Sequence, residues 1–336
     1  MREKLSVKEI AEMAGTSVAT VSRVINQNGR FSKATEKKVL DIIEQYNYQP
    51  NQLARSLRVQ HSQIIGIMVP DISNEFFANI TRAVQKHLLK QNYMTIICNT
   101  NESGMEARKQ HQMLLAQKVS GIIYINSGSE DIMESTNVPT VYIDRDPRDT
   151  RKNLDENYAM IECDNIQGGY LAGQELARKG SRKIAYVCFN RTLSTIKKRI
   201  QGFLTALEEA KIAFDPACGI YVNEVSIEEG ILATEYIVHH LKDVDGIFYM
   251  SDLLAVGGLG YLMRNRIQVP KQIRLVGFDD ISISSNIFPS LTTVHQPVEE
   301  FGSLAARRIV DMINGKNDIW QQRQRLPVEL IVRETT

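Results

Sequence analysis

The sequence predicts an α/β protein: a body of two doubly wound parallel-sheet subdomains behind a small three-helix head. Three observations lead there. From Ile64 onward, short β-branched runs alternate with amphipathic stretches over about 270 residues, the rhythm of parallel sheets covered on both faces. Before that, residues 6–46 carry three short helical periods separated by turn residues. Charge is also split, because residues 1–60 hold ten Lys/Arg against six Asp/Glu while the remainder holds 30 against 33. A basic head therefore adjoins a mildly acidic body within a net charge of +1, as a nucleic-acid-binding attachment would.

The 336 residues exceed one ordinary domain of about 100–200. With 43% hydrophobic and 24% charged residues, the chain has a globular composition rather than a disordered or fibrous one. No run reaches the roughly 18 apolar residues of a membrane helix, and the opening MREKLSVKEIAEMAG lacks an apolar signal core, so a cytoplasmic protein is expected. Cys98, Cys163, Cys188 and Cys218 stand far apart with no C-x-x-C or Cys/His cluster, which predicts small core residues and neither disulfides nor a metal site.

In the head, Val7, Ile10, Ala11 and Ala14 share one face of a helix over Ser6–Ala14. Gly15-Thr16-Ser17 breaks it, with Ser17 placed to cap a second helix over Val18–Asn26, and a third runs from near Ser32 to about Tyr46. This is helix-turn-helix spacing, in which the second helix enters the DNA major groove. Val18, Ala19, Ser22, Arg23 and Asn26 fall on its reading side. Arg23 can bond guanine O6 and N7 together, while Val18 and Ala19 offer only apolar contact to thymine methyls. Ser6, Thr20, Asn28 and Lys33 suit phosphates, which position without specifying sequence. A bundle with a merely solvated polar face fits the same pattern. Beyond Pro50, Asn51–Arg58 allows barely two helical turns, too few for stability alone, so its order depends on a partner.

In the body, strands are expected at Ile64–Val69, Met94–Asn99, Gly121–Ile125, Thr140–Asp144, Met160–Cys163, Lys183–Phe189, Gly219–Val222, Gly246–Met250 and Ile273–Phe278, with a last one at Leu326–Val332. Amphipathic segments Glu75–Gln91, Ile166–Lys179, Lys197–Ala210 and Ser226–Leu241 lie between them. Open parallel sheets bind ligands beyond the carboxyl ends of their strands. There the sequence places carboxylates, amides, aromatics and Arg, which hold vicinal hydroxyls through charge-assisted hydrogen bonds and pack against a sugar ring.

The segment SVKEIAEMAGTSVATVSRVINQNGRFSKATEKKVLDIIEQYNYQPNQLARSLR closely resembles the DNA-binding head of the LacI/GalR family of bacterial transcriptional repressors. VPDISNEFF, CDNIQGGYLAGQELARKGSRKIAYV, RIQGF, VGFDDISISS and PSLTTVHQPVEEFGSLAARRIV resemble the family's sensor domain, itself similar to periplasmic sugar-binding proteins. The resemblance implies a head over 1–48, a hinge helix and linker over 49–62 and an effector-binding and dimerisation domain of two interleaved subdomains over 63–336. It implies that paired hinges place Asn51, Ala54 and Leu57 on DNA, Leu57 wedging into the minor groove. It puts Phe76 and Phe77 at the wall of an effector pocket, Asp144 on its first-subdomain side and Arg199 and Asp279 as hydroxyl clamps. Asp164, Ser251, Asp252 and Gln296 complete that set. Asp164 equally reads as the cap of the helix opening at Asn165, Asp279 as a cap and Phe76 as core. Lys197 and Lys198 read as a solvated face.

No P-loop, nucleophile elbow, H-E-x-x-H or G-x-G-x-x-G appears, so no enzyme and no cofactor are expected. The expected partners are double-stranded operator DNA and a small, sugar-like effector, with a second copy of the chain and no membrane, since two-fold DNA needs a two-fold protein. Two competitors remain: a regulator whose corepressor is a phosphorylated carrier protein, and a solute-binding protein, which has no use for residues 1–60.

Overall fold

A computed structural model describes residues 5–25, 27–46, 48, 62–125, 137–145, 158–189, 193–316 and 322–336. The chain divides into two compact units, Met1–Ser62 and Gln63–Thr336. The sequence expectations for Asn26 and for the hinge helix, with Asn51, Ala54 and Leu57, lie outside the described residues.

The head contains α1 (Val7–Ala14), α2 (Val18–Ile25) and α3 (Lys33–Gln45). Each begins on a serine. Ser6 and Glu9 form a reciprocal capping box, the Ser17 hydroxyl accepts from the Thr20 amide at 3.1 Å and the Ser32 hydroxyl from the Thr35 amide at 3.1 Å. These bonds satisfy amides that the first helical turn leaves without partners. Gly15, at φ +64, ends α1 in the left-handed conformation. Ile10, Ala11, Ala14, Val21, Val24 and Val39 form the small core.

The second unit contains two six-stranded sheets. The first takes β1 (Ile64–Val69), β2 (Met94–Asn99), β3 (Gly121–Ile125), β4 (Thr140–Ile143), β5 (Tyr158–Cys163) and β11 (Arg323–Leu326), in the all-parallel order β11-β5-β4-β3-β1-β2. The second takes β6 (Ile184–Phe189), β7 (Gly219–Val222), β8 (Gly246–Tyr249), β9 (Arg274–Asp279), β10 (Thr292–His295) and β12 (Glu329–Ile331), in the order β12-β10-β9-β8-β6-β7. Only β12 runs antiparallel, against β10. Helices α4 (Glu75–Leu89), α5 (Gly104–Ala116) and α11 (Val298–Ile313) belong with the first sheet. Helices α6 (Asn165–Arg178), α7 (Ser194–Glu209), α8 (Ile227–His240), α9 (Asp252–Arg264) and the short α10 (Ser282–Asn286) belong with the second. The chain crosses between sheets three times, after β5, after β10 and between β11 and β12.

Two expectations need correction. Leu326–Val332 is not one strand, because Pro327 cannot donate to a ladder and the chain breaks there into β11 and β12, one in each sheet. Strand β10 and helices α5 and α11 were not predicted from pattern: β10 is four residues long, and the buried face of α5 carries His111 between Ala107 and Leu114, which blurs its apolar stripe. The cysteines are unpaired, and Cys163, Cys188 and Cys218 are buried.

Helices α6 and α7 touch backbone to backbone. A Cβ at Gly169 would collide with the Arg199 carbonyl, and one at Gly202 with the Ile166 carbonyl. Glycine is required at both sites because the colliding atoms are main chain and cannot swing aside. Gly202→Ala should therefore destabilise the protein by about 1–3 kcal/mol or more, lowering the melting temperature by roughly 3 °C or more in calorimetry. An unchanged melting temperature would show that the two helices have room to separate.

Candidate functional site

In the head, Val18, Ala19, Ser22 and Arg23 of α2 share one surface concavity with Asn28 and Gly29. Arg23 is exposed, and its aliphatic stem lies over Gly29, whose φ of +88 and missing Cβ leave room for it. Ser6 and Lys33 are exposed, but the Ser6 hydroxyl is engaged in its capping box and that of Thr20 bonds Ser17 at 2.9 Å.

In the second unit, a cleft of about 850 Å³ lies between the two sheets at the carboxyl ends of their strands. Its first jaw carries Asn74, Phe76 and Phe77 at the start of α4, and Asp144 and Arg145 after β4. The two phenyl rings lie 5.4 Å apart. Its second jaw carries Phe189 at the end of β6, Arg199 on α7, Ser251 after β8 and Asp279 at the end of β9. Of the nine residues expected at an effector site, six line the cleft: Phe76, Phe77, Asp144, Arg199, Ser251 and Asp279.

The remaining three are corrections. Asp164 caps α6, accepting from the Gln167 amide at 3.0 Å, and lies outside the lining. Asp252 is fully buried behind it, accepting from Ser284 at 2.6 Å, Thr293 at 2.6 Å and the Ile281 amide at 3.1 Å. Gln296, equally buried, donates to Asp279 at 2.8 Å and so supports a lining residue rather than being one.

Arg199 is held from three sides. Its Nε donates to Asn165 at 2.7 Å, its Nη1 to the Met250 carbonyl at 2.8 Å, and its guanidinium lies 3.5 Å above the Phe278 ring. A buried cation held this way is oriented as well as stabilised. Its neighbour Lys198 is not the solvated residue expected. It reaches from α7 to Glu162 of β5 at 2.5 Å, where Arg323 also bonds that buried carboxylate at 3.1 Å. A second link joins the jaws, as Glu75 of α4 accepts from the Ser282 amide at 2.9 Å and its hydroxyl at 2.7 Å.

Sequence reasoning missed three parts of this site. Glu75 could not be paired with a serine 207 positions away, whose contact is purely tertiary. Asn223 to Glu228, beyond β7, follow a strand that was identified, so the carboxyl-end rule should have flagged them. Backbone strain was the third: Asn101, Glu102, Asp144 and Asp279 line the cleft at φ +50, +55, +73 and +118. Left-handed non-glycine residues concentrated at one place mark a site whose geometry the surrounding structure enforces.

These features match known proteins. Residues 6–51 match the family described as bacterial regulatory proteins, lacI family, and residues 174–336 the periplasmic binding protein-like domain. The ribose operon repressor of Halalkalibacterium halodurans is 35% identical over 335 residues, covering 98% of this chain and 97% of that protein. The chain belongs to the LacI family. The LacI fold extends over its whole length: the lac repressor dimer bound to operator and the anti-inducer ONPF superimposes with a TM-score of 0.84 at 23% identity, covering 99% of each chain. A LacI family transcriptional regulator from Enterococcus faecium with bound ribose has a TM-score of 0.70 at 28% identity, covering 81% of this chain and 98% of that one. The protein is thus a LacI-family transcriptional regulator with a helix-turn-helix head and a ligand-binding body, and not an enzyme. Among the described residues no helix is long and apolar enough to cross a membrane.

Asp279 and Asp252 give the body a pH signature. Burial pushes the Asp279 carboxyl up to about 8, with Arg199 pulling the other way, and burial pushes Asp252 up to about 7 against its three donors. For a carboxyl raised above its unfolded value near 4, the fold favours the protonated form. Its contribution is complete below about pH 4 and is lost as pH rises through the folded value. His295, raised by its bond to Asp280, adds in the same direction, whereas Asp280 and Glu299 are held low and act only in more acidic solution. The urea midpoint should fall between pH 5 and pH 8.5, and less steeply in Asp279→Asn. Equal slopes would show that ionising Asp279 costs the fold nothing.

Proposed function

We propose that the protein is a homodimeric repressor on a palindromic operator of roughly 14–20 base pairs, controlled by a sugar-like effector bound between its jaws. The observation that carries the effector reading is Arg199, buried and oriented in a cleft that also offers carboxylates, amides and phenyl rings. Solved relatives with bound sugar support it. In this reading α2 presents Val18, Ala19, Ser22 and Arg23 to the major groove, with Asn26 beside them, while Ser6 and Thr20 face the backbone. Asn51, Ala54 and Leu57 of paired hinges occupy the centre of the site. Closure of the cleft around ligand changes the distance between the hinges, in the cytoplasm where the DNA lies; where the ligand is an inducer the hinges melt and the operator complex weakens. Support for a second copy comes from exposed apolar side chains on the edge strands and adjoining helices: Met94, Ile97 and Met113 along the first sheet, Tyr221, Leu232 and Tyr236 along the second. Such a concentration is uncommon on a free surface.

The test is operator binding with and without ligand. Arg199→Ala should abolish the ligand's effect while leaving operator affinity within about twofold; an unchanged dose response would remove Arg199 from the effector site. Leu57→Ala should weaken operator binding by at least tenfold more than binding to random DNA, and equal losses on both would refute the wedge.

A further inference from the structure

The cleft's charges show what kind of ligand it admits. Among the described residues its lining holds six acidic side chains, Asp71, Glu102 and Asp144 on one jaw and Glu224, Glu228 and Asp279 on the other; burial keeps Asp279 mostly protonated near neutral pH, which leaves five carboxylates. Against them stand two arginines, with no lysine or histidine. Both arginines already have anionic or carbonyl partners. Arg145 faces Glu102 at 3.5 Å, and Arg199 is bonded to Asn165 and Met250 with its face on Phe278. An anion such as a phosphate is normally held by an arginine fork, a lysine or the open amides of a helix N-terminus. Here no lysine lines the cleft, and each arginine fork is already partly engaged.

Most of the helix termini at the cleft are closed to an anion as well. Five residues that immediately precede helices line the cleft: Asn74 before α4, Ser103 before α5, Leu193 before α7, Ser226 before α8 and Ser251 before α9. Behind all of them but Leu193, the first helical turn carries an acid: Glu75, Glu106, Glu228 with Glu229, and Asp252. These carboxylates occupy the positive end of the helix dipole and would repel a second negative charge there. Asn74, Ser103 and Ser226 further consume an amide each with their own side chains. Among the helices whose starts line the cleft, α7 opens with neither a cap bond nor an acid; Leu193 and Ile196 make that wall mostly apolar, with Thr195 between them.

We infer that the ligand of this cleft is an uncharged polyhydroxylated molecule and that phosphate esters and sugar acids are excluded. The inference rests on the effector reading above and goes beyond it by fixing the ligand's charge. Hydroxyl groups can donate to the surplus carboxylates and accept from the remaining arginine N–H groups, so a neutral polyol satisfies both signs at once. A dianionic ester instead enters a site whose carboxylates outnumber its two arginines, so its charge would be only partly compensated, and a buried charge without a full partner is strongly disfavoured.

The experiment is calorimetric titration of the full-length protein with ribose, xylose, glucose, fructose and cellobiose, with the phosphate ester, sugar acid and amino derivative of each monosaccharide alongside, at 50 and 500 mM salt. The expected result is that a neutral sugar binds with an affinity changing less than twofold between the two salts, and that its phosphate ester binds at least 100-fold more weakly. An ester or acid binding as tightly as its parent would overturn the inference while leaving the cleft as a sugar site. An amino derivative binding more than tenfold more tightly would overturn it in the other direction. Binding by no member of the panel would overturn the sugar-effector reading itself, and this inference with it.

Discussion

The contact on which the sensor depends is the main-chain approach of α6 and α7 through Gly169 and Gly202. Helix α6 begins with Asn165 immediately after the first crossover, and α7 carries Arg199. Pressing the two backbones together brings the Asn165 amide within reach of the Arg199 guanidinium, and it sets the ring of Phe278 beneath that guanidinium from the neighbouring strand. Any side chain at either glycine would separate the helices and move the cation out of this frame. The spacing of small residues in α6 and α7 is therefore part of the cleft's chemistry, although no glycine touches its interior.

Behind the cleft the protein spends buried polar groups on orientation. Asp252, with three donors, ties the start of α9 to β10 and to the segment that opens α10. Gln296 and Ser251 bracket Asp279, which keeps its left-handed backbone at the mouth of β9. Each such group is costly to bury and each is bonded to a neighbour, although the Gln296 side-chain oxygen itself has no partner among the described residues, so the lining cannot relax without breaking several bonds together. A ligand then meets a preformed second jaw. The links between jaws are fewer and of a different kind: Glu75 on Ser282, and Lys198 on Glu162.

Much of this was legible in the sequence because the physics is local. Alternating β-branched runs placed nine body strands to within two residues at either end, since the seven inner ones, buried on both faces, leave an unbroken apolar signature and the edge strands β2 and β7 keep a β-rich one. The serines that open α1, α2 and α3 are also local signals. Where legibility failed, the deciding contact was distant. Asp164 presents the same carboxylate whether it caps a helix or lines a cleft, and only tertiary placement settles which. Lys198 looked like solvated surface because its partner is 36 residues away on another sheet. Asp252 and Gln296 were recognised as belonging to the site's surroundings, but sequence cannot distinguish a lining residue from the one that holds it.

The third crossover has a consequence for how the protein is made. Residues 6–46 close the core of the head by themselves, whereas the first sheet lacks its edge strand until β11 and the second until β12. Strand β11 leaves the ribosome about 280 residues after the head, a delay of roughly 14–56 s at about 5–20 residues per second. Thr335, which bonds the Leu275 carbonyl and the Thr292 amide, must follow before the second sheet is fully strapped. During each round of synthesis the cell therefore holds a finished reading head on an unfinished sensor. A message cut short before residue 323 would leave that state permanent, with neither sheet complete.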